Sequence, residues 1–367
     1  MAIQPEKPGQ KPTLYRVMSD RNTILKGKAP AGLDQAEILR MYRTMLLVRT
    51  VDERMVTLQR QGRISFYGGA TGQEAAVIGS GAALNDTDWV VPALREGGIA
   101  LLRGFALSDY VNQLFGNDQD IQRGRQMPCH YGHKDVNYVT LSSCIANQLP
   151  HAVGIALAAR LNGDDVIAAG YMGDGATSEG DFHTSLEFAA RLSAPVLFFC
   201  QNNQWAISTG FGGQTAAPSI ACRAHGYGMD GYRVDGNDAL AVYAVTQHAV
   251  QQIRETGRPV LIEALTYRIG AHSTSDDPTK YRDESVTDKW RKKDPILRLK
   301  RLLIAKGWWS AEEDAALIAE TTTNLRAEIM RAEAAPVPAV DSLFEDVFEQ
   351  VPAHLQEQRE ELKQWLS

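Results

Sequence analysis

The sequence predicts an α/β protein: a parallel sheet flanked by helices, with an extended N-terminal arm and a helical C-terminal tail. Residues 164–172 and 195–200 are short apolar runs typical of buried strands. Between them, Phe182, Leu186 and Ala189 recur at helical spacing. A strand, a helix and a second strand in this order indicate a β-α-β unit, and therefore parallel pairing.

Composition shifts divide the chain into three predicted regions. Residues 1–32 are rich in Pro, Lys and Gly and are expected to form the arm. Residues 33–285 form the α/β domain, and residues 286–367 form a charged helical region that packs on it. Ser178, followed by Asp181 three residues later, suggests a capping box for the helix of the β-α-β unit. Further elements are predicted as helices at 34–61, 72–84, 147–161 and 240–254 (ending before Gly257), a strand at 259–267, a polar loop at 272–284 and a break near 336–338.

The bulk properties exclude several functional classes. The 367 residues carry a formal charge of −6, which gives no reason to expect nucleic-acid binding. No apolar run approaches the length that spans a membrane. The first residues lack the apolar core of a secretory signal and the Arg- and Ser-rich composition of a transit peptide, so we expect neither. The four cysteines form no Cys-x-x-Cys pair. We therefore expect free thiols and a reducing cytoplasm.

An acid and an amide follow the two strands of the β-α-β unit. Asp174 and Asn203 would lie at the carboxyl ends of parallel strands, where ligands bind in such sheets. Gly173 and Gly175 allow the backbone to turn sharply and to approach a ligand closely. Magnesium prefers oxygen ligands and is commonly held by one or two protein groups together with phosphate oxygens. The pattern therefore predicts a site for magnesium and a diphosphate, and the alternative is that Gly-Asp-Gly is only a tight turn and Asn-Asn only a loop.

The segment from Gly173 to Asn203 resembles the thiamine diphosphate fingerprint, in which Gly-Asp-Gly precedes an Asn by about thirty residues. Matches to one family then run in order from about residue 14 to 350, and together they resemble the alpha subunit of branched-chain 2-oxo acid (3-methyl-2-oxobutanoate) dehydrogenase. They are YRVM (15–18), QRQGRISFYG (59–68), RGRQMPCHYG (123–132), GDGATSEGD (173–181), RVDGND (233–238), TYRIGAHSTSDD (266–277) and KGWW (306–309).

The resemblance implies a thiamine diphosphate-binding fold and an oxidoreductase of branched-chain amino acid catabolism. Such an enzyme decarboxylates branched 2-oxo acids and passes the acyl group to the lipoyl arm of an acyltransferase component. It works as a heterotetramer of two alpha and two beta subunits, and the beta subunit completes the cofactor site. The C-terminal region would then also pack on partner subunits. We expect a bacterial cytoplasmic location.

The resemblance also assigns roles to the residues around the fingerprint. Magnesium ligands are Asp174, Asn203 and the carbonyl of Trp205. His272 is the catalytic residue and also contacts the diphosphate. The cofactor contacts further include Arg95 as a diphosphate clamp; Leu94, which replaces the usual Tyr; Gln201, which replaces the expected Arg; and Gly173, Gly175, Ala176, Ser143 and Ile145.

The segment LSSCIANQ (141–148) resembles a loop that binds both potassium and the cofactor. Cys144 replaces Pro and Asn147 replaces Thr in the family pattern. Ser273 matches a site that is phosphorylated in mitochondrial relatives, although a turn Ser is the simpler interpretation. The implied potassium ligands are Ser142, Cys144 (by its carbonyl), Asn147 and Gln148. The implied substrate pocket is lined by Phe66, Leu94 and Ile145, an apolar set that suits a branched aliphatic side chain.

Other hypotheses stay open at this stage. A pyruvate or acetoin dehydrogenase alpha subunit is the alternative within the same chemistry, although the RGRQMPCHYG loop argues against the pyruvate type. A nicotinamide-binding Rossmann enzyme would need Gly173, Gly175 and Gly180 at a different spacing. A scaffold subunit that has lost its cofactor is a third hypothesis. His130 and His133, with Cys129, do not have the spacing of a zinc site and are expected in a structural loop near the active-site mouth.

Overall fold

The fold is described from a computed structural model, which describes residues 3–7, 9–30 and 32–366. Positions 1, 2, 8 and 31 of the predicted arm and position 367 of the predicted helical region lie outside the described residues. The three-region division itself stays a prediction. No helix in the described part of the chain is both long enough and apolar enough to cross a bilayer.

A five-stranded parallel sheet forms the centre of the molecule, as the sequence predicts. Its strands lie in the order β1-β2-β3-β7-β6, and a separate two-stranded antiparallel ribbon pairs β4 with β5. The strands are β1 (Trp89–Val91), β2 (Ala168–Gly173), β3 (Val196–Asn202), β4 (Trp205–Ala206), β5 (Thr209–Gly210), β6 (Asp230–Asp235) and β7 (Val260–Leu265).

Helices cover the sheet and continue into the C-terminal region. The four predicted helices up to residue 254 are confirmed to within a few residues, and Gly257 ends the last of them at φ 68°. Helices α9 and α10 pack against α1. The helices are α1 (Gln35–Arg60), α2 (Glu74–Ala82), α3 (Gly97–Leu102), α4 (Leu107–Phe115), α5 (Gln148–Asn162), α6 (Gly180–Leu192), α7 (Ala239–Thr256), α8 (Glu284–Arg291), α9 (Pro295–Ala305), α10 (Ala311–Ala334) and α11 (Ala353–Leu366).

The β2-α6-β3 unit sets the position of the candidate site. All seven residues of β3 are buried, which explains its continuous apolar character. Gly173, the last residue of β2, pairs with Gln201 of β3. Asp174 and Asn203 therefore emerge close to the same edge of the sheet. The loop after β7 runs beside them, since Thr266 N donates to Asn202 O over 2.9 Å.

The capping box predicted for α6 is wrong. Residues Asp174–Ser178 form a 3₁₀ turn, so Glu179 rather than Ser178 precedes the helix, and Glu179 makes no side-chain cap. The 3₁₀ turn places Ser178 one position too early for its hydroxyl to reach the first free N–H groups. Strand β2 also begins four residues later than predicted, because residues 164–167 form no ladder.

The N-terminal arm lies along the edge of the central sheet of the same chain. Tyr15 forms a parallel bridge with Val234 of the edge strand β6, and Glu6 N donates to Gly231 O over 2.8 Å. The described part of the arm therefore covers a strand edge that would otherwise present unpaired backbone groups.

Candidate active site

A cavity of about 450 Å³ lies at the carboxyl ends of β2 and β3. It has the size of a small-molecule site and brings together segments that are far apart in the sequence. Asn147 and Ser273, both predicted at the site, do not line the cavity. The predicted residues that do line it are Phe66, Leu94, Arg95, Ser142, Ser143, Cys144, Ile145, Gln148, Gly173, Asp174, Gly175, Ala176, Gln201, Asn203, Trp205 and His272.

Asp174 presents a carboxylate oxygen that the protein does not satisfy. Its Oδ2 accepts a hydrogen bond from Gln214 Nε2 over 2.7 Å. Its Oδ1 is buried and has no hydrogen-bond partner among the described residues. Burial raises the pKa of Asp174, although the hydrogen bond from Gln214 opposes this shift. A buried, unpaired carboxylate oxygen is costly unless a cation or donor binds to it, so Oδ1 fits the role of a metal ligand.

Asn203 is oriented with its amide oxygen available. Its Nδ2 donates to Gln73 Oε1 over 3.1 Å, and its Oδ1 accepts only a 3.2 Å bond from Trp205 N. The carbonyl of Trp205 differs, because it accepts from Arg268 Nη1 over 3.1 Å. A guanidinium at this oxygen opposes a divalent cation there. The donor chemistry therefore fits magnesium well at Asp174 and Asn203 and less well at Trp205.

The two glycines of the Gly-Asp-Gly turn differ in the space around them. A Cβ on Gly175 would lie 2.7 Å from Ala206 Cβ, so the approach of β4 requires glycine at this position. A Cβ on Gly173 would meet nothing within 4 Å, because this residue faces the open cavity. The turn therefore exposes its backbone to a ligand on one side and packs tightly on the other.

Arg95 supplies a buried positive charge. It is only 8% exposed, so its guanidinium is not a solvated surface charge. Its guanidinium donates to the carbonyl oxygens of Gly69 and, over 2.8 Å, of His272. Burial lowers the pKa of Arg95 to about 10, so the side chain stays protonated near neutral pH. A fixed cation of this kind suits a phosphate group.

His272 is held as a neutral imidazole. Burial, together with the nearby charges of Arg95 and Arg268, lowers its pKa to about 4. Its Nδ1 lies 3.4 Å from Arg95 Nη2, so the proton is assigned to Nε2. Its backbone N–H donates to Asp276 Oδ2 over 2.7 Å. The ring can therefore donate a hydrogen bond from Nε2 at neutral pH.

Sequence reasoning missed two buried charged residues in this cavity. Glu96 is 1% exposed and accepts from Gln201 Nε2, and burial raises its pKa to about 7. Arg268 donates to Ile207 O over 2.6 Å and to Tyr281 Oη over 3.0 Å. Glu96 directly follows Arg95, and Arg268 lies within TYRIGAHSTSDD, but neither residue could be recognised as buried without the packing of its neighbours.

The loop with His130 supports the cofactor side of the cavity. His130 Nε2 lies 2.6 Å from Ser143 Oγ, within hydrogen-bond distance. No group of three potential metal ligands from His, Cys, Asp or Glu was found among the described residues. His130 therefore lines the cavity, on the segment predicted as a loop near its mouth.

The predicted potassium loop is partly satisfied by its own hydrogen bonds. Asn147 Nδ2 donates to Ser142 Oγ over 3.0 Å, and Gln148 Nε2 donates to Tyr171 O over 2.7 Å. Asn147 Oδ1 is buried and has no hydrogen-bond partner in the part of the chain that is described. Ser273 lies next to His272 in a turn, where its carbonyl accepts from Asp276 N over 3.1 Å.

Comparison with known proteins assigns the chain to a family. The family model described as "Dehydrogenase E1 component" matches residues 42–341. The chain is 43% identical over 350 residues to the mitochondrial 2-oxoisovalerate dehydrogenase subunit alpha of Dictyostelium discoideum, which covers 95% of this chain and 79% of that protein.

Two further relatives have the same description. The human mitochondrial 2-oxoisovalerate dehydrogenase subunit alpha is 42% identical over 354 residues, covering 96% of this chain and 80% of that protein. The mitochondrial 2-oxoisovalerate dehydrogenase subunit alpha 1 of Arabidopsis thaliana is 41% identical over 365 residues, covering 99% of this chain and 77% of that protein. The resemblance predicted from the sequence motifs is confirmed, and the nicotinamide-binding alternative is set aside. The chain therefore belongs to the dehydrogenase E1 component family and has its thiamine diphosphate-dependent fold.

Proposed function

We propose that this chain is the alpha subunit of a branched-chain 2-oxo acid dehydrogenase. With a beta subunit it decarboxylates branched-chain 2-oxo acids and transfers the acyl group to the lipoyl arm of an acyltransferase component. The observation that carries the proposal is identity of 41–43% across at least 94% of the chain to proteins named 2-oxoisovalerate dehydrogenase subunit alpha. These names favour the branched-chain reaction over the pyruvate and acetoin alternatives.

The cavity provides a binding site for the diphosphate end of the cofactor. Asp174 Oδ1 and Asn203 Oδ1 would hold magnesium, and Arg95 would neutralise charge on the phosphate oxygens. Backbone groups of Gly175 and Ala176 line the same wall. When bound, thiamine diphosphate supplies the electron sink for decarboxylation. The protein binds and orients it.

His272 serves as a neutral hydrogen-bond donor and proton carrier at the cavity. Its lowered pKa keeps the imidazole uncharged, so the ring can contact an anionic group by donating from Nε2. Hydrogen bonds with Arg95 and Asp276 fix the backbone of His272, and the contact of its Nδ1 with Arg95 Nη2 at 3.4 Å orients the ring.

Apolar side chains define the substrate end of the cavity. Phe66, Leu94 and Ile145 line it, and 60% of Ile145 is exposed at the mouth together with Met127 and Ile207. An open apolar mouth suits completion by a second subunit. Because one methylene is worth only about 1–3 kcal/mol in such a pocket, activity on several branched 2-oxo acids is expected.

Three narrower assignments stay within the proposal. Ser142, Cys144, Asn147 and Gln148 would bind potassium, for which the buried free Oδ1 of Asn147 is the supporting observation. Phosphorylation of Ser273 would place negative charge next to His272 and weaken cofactor binding. The expected bacterial cytoplasmic location stays a prediction, since the relatives named above are mitochondrial proteins.

The test is co-expression with the beta subunit encoded in the same organism. Release of CO₂ is measured on 3-methyl-2-oxobutanoate, its branched homologues and pyruvate, with and without magnesium. We expect the complex to prefer branched substrates, the isolated alpha chain to be inactive, and chelation of magnesium to abolish thiamine diphosphate binding. Preference for pyruvate would favour the alternative substrate class. A complex that binds no thiamine diphosphate in calorimetry would favour a scaffold subunit.

A further inference from the structure

Asp52 is a buried acid on α1 that does not line the main cavity. It is 3% exposed and accepts three hydrogen bonds from one loop. Tyr67 Oη donates to its Oδ1 over 2.7 Å, while Ala70 N and Thr71 Oγ1 donate to its Oδ2 over 2.7 and 3.1 Å. The carboxylate therefore fixes both ends of the segment 67–71.

Asp52 forms no ion pair among the described residues. The guanidinium of Arg49, three residues earlier on α1, is bound to Glu74 and Asp294 at 2.5 and 3.0 Å. Burial raises the pKa of Asp52, and the three donors from the loop, followed by the charge of Arg49, act against that shift. A buried carboxylate is costly unless its hydrogen bonds are satisfied, so the loop and the acid are adapted to each other.

The loop fixed by Asp52 also contacts the segment that carries His272. Thr274 N donates to Tyr67 O over 3.0 Å, and Tyr67 N donates to Thr274 Oγ1 over 3.2 Å. Ile269 N donates to Thr71 O over 3.3 Å. The loop 67–71 is thus held between α1 on one side and residues 269–274 on the other.

Arg95 depends on the same loop for its orientation. One guanidinium nitrogen donates to Gly69 O, and the other donates to His272 O over 2.8 Å. A Cβ on Gly69 would lie 3.0 Å from Asp52 Oδ2, so this carbonyl-bearing residue sits directly on the carboxylate. Displacement of the loop would move one of the two acceptors that aim Arg95 into the cavity.

We propose that Asp52 is a positioning residue, which fixes the loop 67–71 so that the Gly69 carbonyl holds Arg95 toward the diphosphate. This inference rests on the proposed function for the identity of the ligand. It assigns no direct contact with cofactor or substrate to Asp52. Its effect passes through Arg95. It also passes through Phe66, which directly precedes the loop and lines the cavity.

The test uses Asp52→Asn in the co-expressed alpha–beta complex. Asparagine keeps the shape of the side chain, but its amide nitrogen cannot accept, so at least one of the three hydrogen bonds is lost or reversed and the negative charge is removed. We expect the Kd of thiamine diphosphate, measured by calorimetry with magnesium present, to rise about tenfold. At saturating cofactor, kcat should stay close to the wild-type value while the KM for the 2-oxo acid rises.

Asp238→Asn is the matched control. Asp238 is 0% exposed and accepts backbone hydrogen bonds from Val17, Met18 and Ala241 over 2.9, 2.6 and 3.0 Å, away from the cavity. Both variants should lower Tm, but only Asp52→Asn should change the Kd. Equal Kd values for the two variants in a complex whose wild type binds the cofactor would overturn the proposal.

A double-mutant cycle separates positioning from general destabilisation. If Asp52 acts through Arg95, then the double variant Asp52→Asn/Arg95→Gln should have nearly the same Kd for thiamine diphosphate as Arg95→Gln alone. Additive effects would contradict the proposal. If Asp52→Asn fails to assemble, Thr71→Val removes one donor with little change in shape and should raise the Kd about threefold. An unchanged Kd for Thr71→Val would then count against the proposal. A wild-type complex without cofactor binding would contradict the proposed function instead.

Discussion

Arg95 Nη2 donates a hydrogen bond to the carbonyl oxygen of His272 over 2.8 Å, although the two residues lie 177 positions apart in the chain. The buried cation and the neutral imidazole of the cavity are therefore parts of one hydrogen-bonded unit. A diphosphate that binds the guanidinium of Arg95 would therefore lie at a fixed position relative to the ring of His272.

Arg95→Lys should weaken cofactor binding despite keeping the charge. A lysine ammonium cannot reproduce the planar fork that donates to Gly69 O and His272 O together. Hydrogen bonds to charged groups contribute about 1.5–3 kcal/mol, so the Kd of thiamine diphosphate should rise about tenfold to hundredfold. Calorimetry on the alpha–beta complex measures this change.

Arg103→Lys provides the control for that substitution. Arg103 also donates to backbone carbonyls, those of Asp88 over 2.7 Å and Asn85 over 2.9 Å, but it does not line the cavity. It should lower Tm and leave the Kd unchanged. A Kd for Arg95→Lys equal to that of the wild type would show that charge alone is sufficient.

The titration of His272 should appear in the pH dependence of stability. Its pKa is about 4 in the folded protein, below the usual 6.5, because of burial and of the charges of Arg95 and Arg268. As the pH falls through 6.5 the unfolded chain takes up this proton first. The free energy of unfolding should therefore decrease between pH 6.5 and 4 on account of this residue, and show no such dependence above pH 7.

Denaturant unfolding at a series of pH values measures this linkage. In His272→Gln the decrease between pH 6.5 and 4 should be smaller than in the wild type, since the linked proton is gone. The same slope in both proteins would mean that His272 titrates normally.

The position of Asp174 and Asn203 at one edge of the sheet could be predicted from the sequence, while the buried charges around them could not. Asp174 and Asn203 follow apolar runs, and strand ends of a parallel sheet meet at one edge, so local pattern is sufficient. The burial of Glu96 and Arg268 depends on how distant segments pack, which periodicity does not report. Strand β6 was missed because only Tyr232 and Val234 alternate as apolar residues within it.

Gln201→Arg should tighten cofactor binding and reduce its pH dependence. Burial raises the pKa of Glu96 to about 7, so in the wild type this carboxyl loses its proton between pH 6 and 8. The negative charge then repels the diphosphate, and the Kd should rise with pH. A guanidinium in place of the Gln201 amide would pair with Glu96, lower its pKa and add a positive charge to the cavity.

The measurement is the Kd of thiamine diphosphate at pH 6 and pH 8, with magnesium in excess. Glu96→Gln serves as the reference, because any remaining pH dependence there belongs to the ligand and to other groups. The ratio of the Kd at pH 8 to the Kd at pH 6 should be larger for the wild type than for Glu96→Gln or Gln201→Arg. Identical ratios in all three complexes would show that the charge of Glu96 does not affect cofactor binding.

Gly175→Ala should abolish cofactor binding at a modest cost in stability. The new Cβ would lie 2.7 Å from Ala206 Cβ, so either the Gly-Asp-Gly turn or β4 must move. Movement of the turn displaces Asp174, and movement of β4 displaces the backbone next to Trp205. Overpacking of this kind costs about 1–3 kcal/mol in folding free energy, whereas a misplacement of about 1 Å at a binding site can cost a hundredfold in function.

Gly180→Ala is the matched substitution on the same segment. A Cβ on Gly180 meets nothing within 4 Å, and alanine favours the first turn of α6. It should leave the Kd of thiamine diphosphate unchanged and Tm unchanged or slightly raised. Calorimetry and thermal unfolding of both complexes decide between the outcomes. Tight cofactor binding by Gly175→Ala would mean that β4 yields without disturbing the metal ligands, and the close packing of Ala206 on the turn would then have no role in binding.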